Sequence, residues 1–107
     1  MATTVITVEE QLTGWYTMLR RAKTHRQVAD MYQRLVDQVK MLAPWTILPF
    51  PQTAFQRYVH LVSLKLNIGK KDLRIAATVL DFGPVLVTRN VRDFQRVPGL
   101  VVEDWTV

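Results

Sequence analysis

Short β-branched runs alternate with segments of helical apolar period along the whole chain, and this alternation narrows the possible folds more than any other feature. The strand candidates are Thr4 to Thr7 (TVIT), Trp45 to Leu48 (WTIL), Val85 to Thr88 (VLVT) and Leu100 to Trp105. Helical patterns fill the intervals, so the expected order is β-α-α-β-α-α-β-α-β. Such alternation predicts an α/β fold with a mainly parallel sheet, right-handed crossovers and helices on both faces.

The local signals are specific. Thr7-Val8-Glu9-Glu10 reads as a T-x-x-E capping box that opens the first helix. Its apolar face is Leu12, Trp15, Tyr16, Leu19 and Ala22, and Arg20, Arg21 and Lys23 suit the negative end of its dipole. A second helix is expected from Arg26 to Leu42, with Val28, Met31, Tyr32, Leu35, Val36, Val39 and Leu42 on one stripe and Pro44 beyond its end, making a hairpin with the first. Pro51 suits the first turn of a third helix whose buried stripe would be Phe55, Tyr58, Val59, Val62 and Leu66. The fourth, Lys71 to Phe82, has few polar faces and should be covered on most sides before Gly83-Pro84 breaks it. A short turn or helix spans Val91 to Gln95, and Pro98-Gly99 precedes the last strand.

Composition then removes whole classes of function. With 107 residues the chain can bury one core, so a single domain over 1–107 is expected. An apolar share of 49% against 21% charged residues is a globular balance. The absence of cysteine excludes disulfides, thiolate metal sites and a Cys nucleophile. No apolar run is long enough to span a bilayer and no signal-peptide pattern opens the chain, so a soluble cytoplasmic protein is expected. A net charge of +5 gives a mild bias toward polyanions.

Ligands of parallel sheets bind beyond the carboxyl ends of the strands. Glu9 and Glu10 follow the first strand, Asn90 and Asp93 follow VLVT, and Asp72 opens the fourth helix. Convergent carboxylates and amides without His or Cys suit Mg²⁺ or Mn²⁺, which favour hard oxygen ligands and support phosphoryl-transfer chemistry. Each acid also has a structural reading: Glu10 as the last member of a capping box, Asp72 as a first-turn carboxylate, Asn90 with Asp93 as an N-x-x-D cap. Lys70, Lys71 and Arg74 flank Asp72, while Arg89, Arg92 and Arg96 flank Asn90 and Asp93, a mixture suited to holding a phosphodiester. The Arg20, Arg21, Lys23 and Arg26 group reads as solvated surface, as do Glu103 and Asp104. His25 and His60 are isolated and carry no role. Trp15, Tyr16, Phe55 and Tyr58 fall on helical stripes and read as core rather than base-stacking platforms.

The segment Ile68 to Trp105, with its G-x-x-D-L-x-I-A-A helix start, its V-T-x-N-x-x-D-F strand and turn and its V-P-G-L-x-V-E-x-W close, resembles the C-terminal part of the PIN-domain ribonucleases, especially VapC-type toxins of bacterial toxin-antitoxin pairs. Thr3 to Gly14 is similar to that family's second strand and glutamate-bearing helix, while Trp15 to Leu66 matches in helix pattern more than in motif. The resemblance implies a three-layer α/β/α fold and a Mg²⁺- or Mn²⁺-dependent endoribonuclease. By that resemblance Glu10, Asp72 and Asp93 are the catalytic and metal-binding acids, with Asn90 a further ligand and Thr88 orienting the site. Lys70, Lys71, Arg89 and Arg92 would face RNA phosphates, and a VapB-like antitoxin would occlude the groove.

The chain departs from the family at its start. A first strand bearing a D-T or D-T-N signature is expected, yet Met1-Ala2 leads directly into the second. One acidic ligand is therefore missing, and activity should be low or nil. The strands flanking the gap, Val5-Ile6 and Val85 to Thr88, would have unpaired edges at about 1 kcal/mol or more per buried group. Direct pairing of the two, sharing of elements in a homodimer or a strand supplied by another fragment would relieve them. An interaction remnant that binds antitoxin or RNA without cutting is the alternative reading. A generic nucleotide-binding module is disfavoured, since no G-x-x-x-x-G-K-[ST] loop occurs.

Overall fold

The computed structural model describes residues 2–83, 85–88 and 91–104, and for Val85, Val87 and Asp104 the backbone alone. Its elements follow the predicted order: β1 (Ala2–Thr4), α1 (Val5–Arg21), α2 (His25–Leu42), β2 (Thr46–Leu48), α3 (Gln52–Ser63), α4 (Lys70–Phe82), β3 (Val85–Thr88), α5 (Val91–Phe94) and β4 (Val101–Asp104). The class is α/β, with β1 paired to β2 and β3 to β4 in two two-stranded sheets. Pro84 and Trp105, read from the sequence as a helix breaker and a strand end, lie outside the described residues. No helix among the described residues is long and apolar enough to cross a membrane. The chain divides into two compact units, Met1–Ile47 and Leu48–Val107.

In the first unit the start of α1 departs from the sequence reading. Thr4, not Thr7, is the N-cap: its Oγ1 accepts a hydrogen bond from the Thr7 backbone N–H at 3.0 Å. Val5 and Ile6, expected in a strand flanking the gap, form the first helical turn, because that bond satisfies an otherwise orphan donor. Glu10 is therefore an exposed residue of the helix body rather than a box partner. The hairpin with α2 forms as expected, through a hydrogen bond from Trp15 Nε1 to the Met31 carbonyl at 2.6 Å and an edge contact between the Trp15 and Tyr32 rings at 5.6 Å. A full capping box at Thr24 and Gln27 opens α2. Its long stripe is buried only at Met31, whereas Val28, Tyr32, Val36 and Val39 are exposed.

The second unit has the main core. Tyr58 and Leu61 of α3, Leu73, Ala76 and Ala77 of α4, and Phe94 and Val97 beyond them form one buried cluster, edged by Phe50, Leu66, Ile68, Ile75, Leu80, Leu86, Leu100 and Val102. The buried face of α3 is Ala54, Tyr58 and Leu61: of the predicted stripe Tyr58 is buried and Leu66 borders the core, whereas Phe55, Val59 and Val62 are exposed. Small residues decide this. Ala54, Ala76 and Ala77 are fully buried, so α3 and α4 meet closely through their smallest side chains. Thr78, also fully buried, returns its hydroxyl to the Arg74 carbonyl at 2.8 Å, leaving no orphan donor. The β3–β4 ladder is parallel, with Val85 opposite Val101 and Thr88 opposite Asp104. Gly99, at φ +80°, makes the turn into β4 in a backbone region that glycine enters without cost.

Candidate functional site

The parallel β3–β4 ladder ends at Thr88 and Asp104, which therefore share its carboxyl rim. The chain leaving β3 carries Asp93 on α5, and α4 carries Asp72 in its first turn behind the N-cap Gly69. The two are near enough for the charge of Asp93 to act on Asp72. Burial raises the Asp72 carboxyl above its ordinary range, and the negative charge of Asp93 pushes it further in the same direction. A carboxyl whose charged form is disfavoured, with a second acid close enough to act on it, is a hard-oxygen setting that a divalent cation would relieve, so the donors present fit Mg²⁺ or Mn²⁺.

Arg96 ties this rim together. Its Nη1 lies 3.7 Å from Asp93 Oδ1 and donates to the Asn67 carbonyl at 3.3 Å, linking the end of α5 to the loop before α4. Asn67 adopts φ +59°, a left-handed conformation that Asn tolerates better than most residues. The spacing of Asp93 and Arg96 is visible in sequence, but the Asn67 partner, 29 residues away, is not. Arg74, grouped by sequence with the cations around Asp72, lies 5.2 Å from the centroid of the Tyr58 ring and so is held on α3. Lys70 and Lys71 start α4 and Arg92 is exposed on α5. Thr88 ends β3 half-buried, and Glu10 sits on α1 in the first unit. Arg89 and Asn90 lie outside the described residues. Among the described residues no group of three or more His, Cys, Asp or Glu side chains forms a metal-binding cluster.

Known proteins share both the sequence and the fold. The ribonuclease VapC1 of Rickettsia felis is 38% identical over 71 residues, which cover 63% of this chain and 52% of that protein. The DNA-bound VapBC structure from Salmonella typhimurium superposes with a TM-score of 0.76 at 25% identity, covering 98% of this chain and 75% of the matched one. This chain is similar to VapC ribonucleases in sequence and to VapBC structures in fold. A tRNA(fMet)-specific endonuclease VapC of Salmonella typhimurium matches over a shorter stretch, 45% identical across 38 residues. No family model matches the sequence. The VapC-like chain spans about half the length of the first curated relative it matches.

A second polar cluster in the VapC-like chain has no signature in the sequence. Asp81, in the last turn of α4, accepts from Thr53 Oγ1 at 2.8 Å and from Arg57 Nε at 3.2 Å, both on α3. A carboxylate near a helix C-terminus opposes the dipole, and the Arg57 guanidinium offsets that cost. Thr53 and Arg57 lie 28 and 24 residues from Asp81, too far apart to read as a motif.

Proposed function

We propose that the chain forms one PIN-like domain acting as a metal-dependent endoribonuclease in the cytoplasm, with RNA as substrate. The observation that carries this reading is the electrostatic proximity of Asp93, which follows the parallel β3–β4 ladder, to Asp72 at the start of α4. These two would hold Mg²⁺ or Mn²⁺ with Asn90, and Glu10 is a further metal-binding acid on the ground of the family resemblance alone. A bound ion supplies positive charge to the phosphodiester and acidifies a water. Lys70, Lys71, Arg89 and Arg92 hold the flanking phosphates, Thr88 orients the site, and Arg96 keeps Asp93 in place. A VapB-like antitoxin covers the same rim, and two copies of the chain associate as a homodimer.

The second reading, an RNA- or antitoxin-binding protein without cleavage, is supported by one observation: among the described residues the acids gather as a pair rather than a trio. RNA cleavage in Mn²⁺ by the parent and by Asp72→Asn separates the two. Loss of at least a hundredfold in the variant is the expected outcome. Cleavage that survives the substitution overturns the assigned site, and retention of RNA on a native gel with no cleavage by either chain selects the binding reading.

A further inference from the structure

A recess lies wholly within the first unit, away from the acids of α4 and α5 in sequence and in element. It has a volume of about 490 Å³ and is bounded by α1, α2 and the segment entering β2. That volume is typical of small-molecule sites. Its apolar wall is Trp45, Met41 and Leu42, and its polar edge is Arg34, Gln11 and Gln38. The two glutamines meet across the helices, with Gln38 Nε2 donating to Gln11 Oε1 at 3.3 Å, so their amides are held at the edge of the recess. Asp37, which also lines it, accepts from Gln33 at 3.1 Å and is held in the same way. Arg34 makes no ion pair or hydrogen bond among the described residues.

These groups specify a ligand by their chemistry. A flat aromatic wall takes a π-face, carboxamides and a carboxylate read a planar edge of donors and acceptors, and an uncommitted guanidinium takes an anion. An unstacked nucleobase with its phosphate has all three features, and specific RNA recognition works through such splayed bases. We infer that this recess is a nucleotide-binding subsite: the base rests on Trp45 beside Met41, Gln38 and Asp37 contact its edge, and Arg34 holds its phosphate. As a subsite for a single-stranded RNA substrate it rests on the ribonuclease reading above. A free mononucleotide offers the same chemistry.

Intrinsic tryptophan fluorescence tests the assignment on the whole chain, without need of cleavage. Titration with the four ribonucleoside monophosphates, the matching nucleosides and short homopolymeric oligoribonucleotides should quench emission, and the quench should vanish in Trp45→Phe. Arg34→Gln should weaken monophosphate binding at least tenfold while leaving nucleoside binding within about twofold, and Gln38→Ala should change the ranking of the four bases. Oligonucleotides binding at least tenfold more tightly than monophosphates identify a strand as the ligand, and equal affinities identify a free nucleotide. Asp72→Asn should bind as the parent does, so cleavage that survives this substitution, with quenching retained, would fail the ribonuclease site and leave this subsite standing. No quench at millimolar nucleotide, or a quench that persists in Trp45→Phe, overturns the inference. Saturation by an amphipathic Leu-Lys helical peptide but by no nucleotide overturns it in favour of a protein-docking groove. If Trp45→Phe loses the parent's circular dichroism, the exposed Arg34→Gln decides alone, and unchanged monophosphate affinity there overturns the inference.

Discussion

At Asp72 the sequence and the fold make different statements about one carboxyl. In sequence it is a first-turn acid that complements the dipole of α4; in the structure burial and Asp93 both disfavour its charge. Its folded pKa stands above the unfolded value of about 3.9. The folded chain therefore holds the proton more readily, stability falls as pH rises between the two values, and the full penalty is present at neutral pH. In a chelator-containing buffer Asp72→Asn should melt higher than the parent at pH 7, and the difference should close as pH falls toward the unfolded pKa. Mn²⁺ at about a hundred times its dissociation constant should stabilise the parent by about 2.7 kcal/mol and leave the variant near its metal-free melting point. A parent that melts identically with and without Mn²⁺ would remove Asp72 from the metal set. The identity of this residue was legible from G-x-x-D-L; its coupling to Asp93 was not, because 20 residues of intervening chain must fold before the two charges meet.

At the scale of elements, helix existence followed from apolar period, while helix faces and starts followed from contacts. The box at Thr7 and the hydroxyl of Thr4 compete for the same helix start, and the earlier cap prevails by capturing the Thr7 N–H. Thr4→Ala should cost about 1 kcal/mol in urea unfolding, the usual loss for a removed N-cap, and an unchanged midpoint would contradict the assigned start. On α3 the large apolar residues were the stronger sequence signal, yet alanines won the interface, since close approach to α4 gains more contact than rings at a wider spacing. The Asp81 clamp then sets how those two helices slide. Asp81→Ala should destabilise by about 1 kcal/mol, below the range of a buried charge-assisted bond because Arg57 is 51% exposed. A double-mutant cycle with Arg57→Ala gives the coupling directly.

For the whole molecule, what the elements leave uncovered governs behaviour in solution. Val39 is 58% exposed and Phe55 50%, each within a run of exposed apolar neighbours on its helix. The described strands form ladders of only two, so each has one edge without a strand partner among the described residues. Apolar faces and open edges of this kind favour association. Light scattering behind size-exclusion chromatography should therefore show a mass that rises from monomer to dimer with concentration, and Val39→Lys should shift that rise to higher concentration. One monomeric mass throughout would overturn the homodimer proposed above.

Period and punctuation determined the order of the described elements and the α/β class, because the spacing of apolar residues is a property of the chain alone. The same local record marked Asp72 and Asp93 as residues at element ends. Tertiary structure decided the rest: which stripe of α3 is buried, that Asp93 acts on the charge of Asp72, that Arg96 reaches Asn67 and that the described strands pair two by two. Each of these depends on groups distant in sequence coming within a few ångströms, and interaction energies that fall off over that range are set by packing rather than by spacing along the chain.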